Sequence, residues 1–336
     1  MEREFDVLAV GRSSIDLYAR EVGAPFTEIK SFAAYVGGCP TNISVCARRL
    51  GLRTALLNAV GADLVGDFVQ KFLEREGVET RFGQRKPGRR TSAFLLGIEP
   101  PDHFPLVPYR DNCADLELTI DDVQASPIEQ SRALLLTGTG LSRQPSRDAT
   151  IFAAEQAKAC GTSVFLDLDF RPELWPDTRG FGVAVRTILP LVDVVIGTSE
   201  EVRSALLTGQ ASEADGRSTE PGAQDARHAS KAIETALAAG PAALVLKRGA
   251  RSTFVYVRDS GRLEVPTFKV EVLNVLGAGD AFAGGFLYGY LKGWDWYAAA
   301  RMGNACGAIV VTRHGCANFM PYEQEALAFI EERGGF

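Results

Sequence analysis

Gly277-Ala278-Gly279-Asp280 is the stretch of this chain with the clearest capacity for chemistry. Gly277 and Gly279 let the backbone come close to a ligand and turn through positive φ. The run Asn274 to Leu291 continues as a helix, so the four residues open it. The amides of a first helical turn lack partners inside the helix and form a ready anion site. Asp280 falls in the same turn, where the macrodipole is expected to hold it ionised at pH 7. A carboxylate beside an anion hole can take a proton from an alcohol while the amides stabilise charge building on a phosphoryl group. An ordinary helix with a Gly-rich entry would look the same, so the remaining elements must decide.

Those elements have a regular order. Phe5-Val10 reads as a buried strand, and Arg12-Arg20, carrying Asp16, is of mixed polarity. Ile29-Val36 reads as a strand, and Gly37-Gly38 leads through Pro40, Thr41 and Asn42 into an amphipathic helix, about Pro40 to Leu50, stopped by Gly51. Thr54-Val60 is a strand, and Gly66-Glu76 a helix ended by Gly77. Thr91-Ile98 and Leu106-Arg110 are strands among Pro100, Pro101, Pro105 and Pro108, which suit a sheet edge or a small flap. We therefore expect a β-rich lid from about 12–36 and 88–115. Ala133-Leu136, Ser163-Leu168, Val192-Ile196 and Ala243-Leu246 are short apolar runs separated by helices near 146–160, 181–189, 199–207 and 228–239. Such alternation predicts a parallel sheet covered on both faces. Gly209-Arg227 has almost no large apolar residue and is expected to be a solvated loop. Thr253-Arg258 and Leu263-Val265 form a hairpin before the Gly-rich turn. Helices from about Trp296 to Thr312 and Tyr322 to Glu332 follow it.

Composition excludes several functions. The 336 residues are 46% hydrophobic and 23% charged, with net charge −6 and no basic run of the kind that binds nucleic acid. No segment is long and apolar enough for a bilayer, and the start MEREFDVLAVG has no apolar core of signal-peptide length, so a cytoplasmic enzyme without a membrane partner is expected. The six cysteines form no CxxC pair and the three histidines stand far apart, which speaks against a zinc site or a disulfide framework. The GxxxxGK[ST] phosphate loop is missing from the sequence.

Two signatures together, Gly37-Gly38 followed by Asn42 and Gly277-Ala278-Gly279-Asp280, resemble those of the ribokinase-type carbohydrate kinases. That family includes the minor phosphofructokinases, fructokinases and adenosine kinase. The resemblance covers essentially the whole chain, 1–334, and implies one α/β domain: a ribokinase-like three-layer α/β/α sandwich with a mostly parallel sheet and a small β-sheet lid. Within the family, GRSSIDLYA, GAPF, KSFAAYVGGCPTN, YRDNCAD, LLLTGTGLS and DFRPELW most resemble the 5-dehydro-2-deoxygluconate kinases of inositol breakdown. The alternatives are 2-dehydro-3-deoxygluconate kinase and fructokinase, or a catalytically silent sugar-binding regulator on the same fold. ATP and a keto-deoxy sugar acid are the implied ligands.

The resemblance also assigns roles. Asp280 is the implied general base, and Gly277, Ala278 and Gly279 supply amides to the transferring phosphoryl. Asp16, Gly38 and Asn42 resemble the sugar-binding set. Tyr109, Arg110 and Arg171 match segments that face substrate or phosphates. A planar guanidinium suits a carboxylate better than a neutral sugar, so both arginines favour an acidic substrate over a neutral one. Thr198 stands where relatives have Asn in an N-x-x-E segment, and Glu201 keeps the acid that organises Mg²⁺, in this reading through water. Lys247 and Gly249 border the nucleotide phosphates and Asn304 the adenine. Relatives often dimerise through the lid, so a homodimer is expected. Many relatives read D-T-x-G-A-G-D, the first Asp helping to hold a monovalent cation. This chain has Asn274-Val275-Leu276 there, so little dependence on potassium is expected.

Overall fold

The computed structural model describes residues 2–100, 103–206 and 223–336, with the backbone alone for 223–229. In chain order its strands are β1 (Phe5–Arg12), β2 (Ser14–Ala19), β3 (Phe32–Gly37), β4 (Thr54–Gly61), β5 (Gln84–Lys86), β6 (Ser92–Leu96), β7 (Leu106–Tyr109), β8 (Ser131–Thr137), β9 (Ser163–Asp167), β10 (Val194–Thr198), β11 (Ala243–Lys247), β12 (Ser252–Val257) and β13 (Gly261–Pro266). Its helices are α1 (Cys39–Arg49), α2 (Leu64–Glu76), α3 (Ile120–Gln124), α4 (Ser146–Ala159), α5 (Thr178–Ile188), α6 (Ser199–Leu206), α7 (Ala223–Ala239), α8 (Ala278–Leu291), α9 (Trp296–Val310) and α10 (Glu323–Glu331).

Alternation along β1 shows why the sheet needs two helical layers. Val7 and Ala9 enter one core with residues of α1, α2, α8, α9 and α10, while Leu8 and Val10 enter the other with residues of α4 to α7. A fully buried Leu or Val contributes about 1.5–3 kcal/mol relative to exposure, so neither face could be left to solvent. The main sheet has the order β13-β12-β11-β10-β9-β8-β1-β4-β5 and is parallel from β11 to β5. The β12–β13 hairpin closes one edge antiparallel.

The strand order reverses at β1, which lies between β4 and β8. In open α/β sheets, ligands bind outside the carboxyl ends of the strands at such a switch point. Arg12, Thr137, Asp167, Thr198 and Lys247 are the last residues of β1, β8, β9, β10 and β11, so all emerge on that side.

A second sheet, β3-β2-β6-β7, leaves the carboxyl end of β1 after Ser13. Ser14 and Asp16 are buried, whereas Ile15 and Leu17 are only half-buried. This inversion explains why Arg12-Arg20 looked mixed rather than strand-like: the inner side of β2 is polar. Three further expectations change. A 3₁₀ turn at Phe26–Glu28 delays the strand expected from Ile29 until Phe32. The edge strand β5 is three polar residues long and carries no readable pattern. α7 begins at Ala223, inside the expected loop 209–227, because Ala223-Gln224-Asp225-Ala226-Arg227 suits a helix. Residues 209–222 of that loop, and Pro101, lie outside the described residues. Among the described residues no helix is long and apolar enough to cross a membrane.

Candidate active site

The Gly-rich turn opens α8 as its sequence requires. Gly277 has φ 84°, and a Cβ there would meet Cys316 Sγ at 2.6 Å, so no other residue fits without rearrangement. The amides of Gly277, Gly279 and Asp280 have no acceptor among the described residues, whereas the Ala278 amide, expected to serve the phosphoryl, donates to the Val275 carbonyl at 3.3 Å because the turn closes on itself there. Buried Asn274 holds the approach to the turn: its Oδ1 accepts from the Leu276 amide at 3.0 Å and its Nδ2 donates to the His314 carbonyl at 3.2 Å.

Asn42, in the first turn of α1, donates from Nδ2 to Asp280 Oδ2 at 2.7 Å across 238 residues of chain. Its Oδ1 is buried without a partner and is open to a ligand hydroxyl. Burial, then the nearby Asp169, push the Asp280 carboxyl above its usual range, against hydrogen bonds from Asn42 and the Cys39 thiol and the charge of Arg171. Asp280 stands in the first turn of α8, and the raised carboxyl makes it a stronger base once ionised.

The Gly37-Gly38 pair fits the sugar-facing wall to its neighbours. A Cβ on Gly37 would lie 1.9 Å from Asp16 Oδ2, and one on Gly38, at φ 105°, would lie 2.3 Å from the Arg12 carbonyl oxygen. Asp16 Oδ1 accepts from Ser14 Oγ at 2.7 Å. Burial pushes Asp16 up to about 6, with Asp280 adding repulsion and Arg12, Ser14 and Arg171 opposing it.

Opposite this wall stands an acidic and basic cluster. Lys247 Nζ donates to Asp167 Oδ2 at 3.1 Å, and a Cβ added to Gly279 would come 3.1 Å from the same Nζ, so the ammonium overlies the Gly-rich turn. Asp167 is pushed up to about 7 by burial and by Glu201, Asp169 and Asp280, with Lys247 opposing. Lys247 is held above its usual value, chiefly by Asp167, although burial pulls the other way. Asp169 sits at φ 32°, accepts from Arg171 Nε at 3.1 Å on one oxygen and from Thr139 Oγ1 at 3.1 Å on the other. Five carboxylates (Asp16, Asp167, Asp169, Glu201, Asp280) thus share the cleft with three cations (Arg12, Arg171, Lys247), although among the described residues no three acids are grouped to hold a metal ion directly.

Other predicted site residues stand elsewhere or are already engaged. Arg110 is buried and donates to Asp115 Oδ2 at 2.7 Å, Ser142 Oγ at 3.0 Å and the Thr139 carbonyl at 3.1 Å, so its charge is matched inside the protein. Tyr109 is 58% exposed on β7. Thr198 and Glu201 form a capping box: Glu201 Oε2 accepts from the Thr198 amide at 2.7 Å, and Thr198 Oγ1 from the Glu201 amide at 3.3 Å. Glu201 Oε1 also accepts from the Phe170 amide at 3.2 Å, tying the β9 and β10 ends together. Asn304 accepts from Thr253 Oγ1 at 2.7 Å and donates to the Val265 and Pro266 carbonyls, so it locks α9 to the hairpin. Gly249, at φ 60°, has open space beside it. Arg12, Cys39 and Asp167 are site residues that sequence reasoning missed. For Arg12 and Asp167 the available signal was a charged residue at the carboxyl end of a buried parallel strand.

Residues 4–323 match the model of the pfkB family carbohydrate kinases. The chain is 33% identical to a 5-dehydro-2-deoxygluconokinase from Shouchella clausii, over 98% of this chain and 97% of that one. It is 35% identical to a 5-dehydro-2-deoxygluconokinase from Bacillus anthracis, over 98% and 96%. A fructokinase with bound ATP from Xylella fastidiosa is structurally similar, with a TM-score of 0.84, 27% identity and 98% of each chain covered. The protein belongs to the pfkB family of carbohydrate kinases.

Proposed function

We propose that this carbohydrate kinase transfers the γ-phosphoryl of ATP to the 6-hydroxyl of 5-dehydro-2-deoxygluconate, with Asp280 as general base. The observation that carries the chemistry is the Asn42–Asp280 contact at 2.7 Å beside three open amides, under the Lys247 ammonium. The names of the curated relatives support the choice of substrate.

In this reading Asp16 and Asn42 hold sugar hydroxyls, with Gly38 letting the sugar lie against the backbone. Asp280 takes the proton of the 6-hydroxyl as its oxygen bonds to the γ-phosphorus. The bond from that phosphorus to the β,γ-bridging oxygen breaks, and ADP leaves. The amides of Gly277, Gly279 and Asp280, with Lys247, stabilise the charge on the transferring group, which is most of what phosphoryl transfer asks of a protein. Ala278 shapes the turn. Arg171 reaches the phosphates from its pair with Asp169. Thr198, Gly249 and Asn304 act by shaping the nucleotide side. Mg²⁺ bound with ATP would neutralise phosphate charge, and in this reading Glu201 and Asp167 would hold it through water. The second sheet acts as a lid that keeps water from the phosphoryl donor. Arg110 and Tyr109 steady that lid.

The test is ADP release with Mg²⁺ and ATP over a panel of sugars and sugar acids, the product position being read by ³¹P NMR. The keto-deoxy acid should lead, and Asp280→Asn should keep nucleotide binding while losing roughly two to four orders of magnitude in turnover. Preference for fructose or 2-dehydro-3-deoxygluconate would overturn the substrate. An Asp280→Asn enzyme within about threefold of wild type would remove Asp280 from the mechanism.

A further inference from the structure

We infer that Arg12 is the residue that recognises the carboxylate of the acceptor, an inference that rests on the sugar-acid reading above. Arg12 ends β1 at the switch point of the sheet and is only 7% exposed. Its guanidinium carbon lies 4.3 Å from the centroid of the Phe94 ring, on strand β6 of the second sheet. One terminal nitrogen, Nη1, donates to Ser14 Oγ at 3.1 Å. Nε is buried with no partner, and among the described residues neither Nε nor Nη2 has an acceptor.

The other cations near the cleft differ. Arg171 pairs with Asp169 at 3.1 Å, Arg110 with Asp115 at 2.7 Å and Lys247 with Asp167 at 3.1 Å. Arg12 alone among these four has no carboxylate within ion-pair distance among the described residues. Asp16 answers the Arg12 charge only through Ser14 Oγ, and shielded donors left unpaired are costly, so a protein keeps them where a ligand completes them. The edge left unfilled is informative. Nε and Nη2 form the side-on fork of a guanidinium, which takes both oxygens of a carboxylate at once. Ser14 occupies only the opposite nitrogen, and the Phe94 ring, 4.3 Å from the guanidinium carbon, offers no acceptor to this edge beyond its π face.

The position agrees with the acceptor's chemistry. Ser14 Oγ bridges the two groups, accepting from Arg12 at 3.1 Å and donating to Asp16 at 2.7 Å. The guanidinium therefore stands one hydroxyl away from the carboxylate assigned to the sugar. With the reacting hydroxyl at Asp280, the acid group is the other end of the carbon chain. Arg12, packed under the second sheet rather than against α8, is placed for that end. A neutral sugar would leave the fork empty, so Arg12 separates acids from neutral sugars.

The experiment compares 5-dehydro-2-deoxygluconate with its C1 amide as acceptors for wild type, Arg12→Gln and Arg12→Lys. Wild type should prefer the acid. Arg12→Gln should lose about ten- to a hundredfold in kcat/KM on the acid, the range of a charged hydrogen bond, and less than about threefold on the amide. Arg12→Lys keeps charge and most of the packing but loses the fork, so its acid-to-amide ratio should fall by about fivefold or more. This variant carries the comparison should Arg12→Gln not fold. Equal losses on both acceptors, or a wild type that treats acid and amide alike, would overturn the inference. A wild type that prefers neutral sugars such as fructose would overturn the underlying sugar-acid reading instead.

Discussion

Asp16→Asn should make the ligand-free enzyme more stable as it weakens sugar binding. Asp16 is 7% exposed, and burial, with repulsion from Asp280, raises its carboxyl from 3.8 to about 6. Each tenfold weakening of the acid corresponds to about 1.4 kcal/mol, so the ionised form costs on the order of 3 kcal/mol in the folded state. The sign follows from the direction. A carboxyl raised on folding contributes stability below about pH 4, and that contribution is lost as pH rises through about 6. An amide at this position does not titrate and still accepts from Ser14. The stability gap in favour of Asp16→Asn should therefore widen by about 2–3 kcal/mol between pH 4 and pH 8. Urea unfolding of both proteins at intervals across that range measures the gap, and differencing cancels the other titrating groups. The same variant should raise the acceptor KM about tenfold or more while leaving the KM for ATP unchanged. A gap that stays constant within about 1 kcal/mol, or a less stable variant at pH 8, would refute the argument that the cleft holds this charge at a cost to the fold.

Three further outcomes are expected. Cys39→Ala removes a hydrogen bond that favours ionised Asp280, so the acidic limb of the kcat/KM profile should move to higher pH; an unmoved limb would show the thiol plays no part. Activity should depend little on potassium, since Asn274 carries no charge and its amide already holds the Leu276 amide and the His314 carbonyl; a rise of tenfold or more on adding potassium to tetramethylammonium buffer would contradict this. The outer face of the second sheet carries half-buried Ile15, Leu17, Ala93 and Leu95, and β3 and β7 are the edge strands of that sheet, so light scattering at tens of micromolar should give twice the chain mass. A monomer would count against pairing through this face.

The sequence by itself determined the fold class and the Gly-rich entry to α8, because both rest on local pattern. Unbroken apolar runs between helices specify a two-faced parallel sheet, and Gly277 to Asp280 specify an open helix start wherever that helix lies. Only the tertiary structure decided how charges are matched. Arg110 and Arg171 looked equally fit for a carboxylate, but the local loop conformation turns Asp115 onto the first and Asp169 onto the second, while Arg12 keeps Nε and Nη2 unpaired among the described residues. Nor could spacing show that Asn42 meets Asp280 or that Asn304 locks α9 to the hairpin, although Thr198-Ser199-Glu200-Glu201 does carry the spacing of the capping box that opens α6. The polar inner side of β2 hid a strand for the same reason: its burial comes from the cleft it faces, not from an apolar pattern of its own. Whether a charged side chain is free for a ligand depends on which partners lie within a few ångströms. Some of those partners are near in the chain, as Asp169 is to Arg171, and others, such as Asp167 for Lys247 and Asp280 for Asn42, come from the ends of elements far apart in the chain.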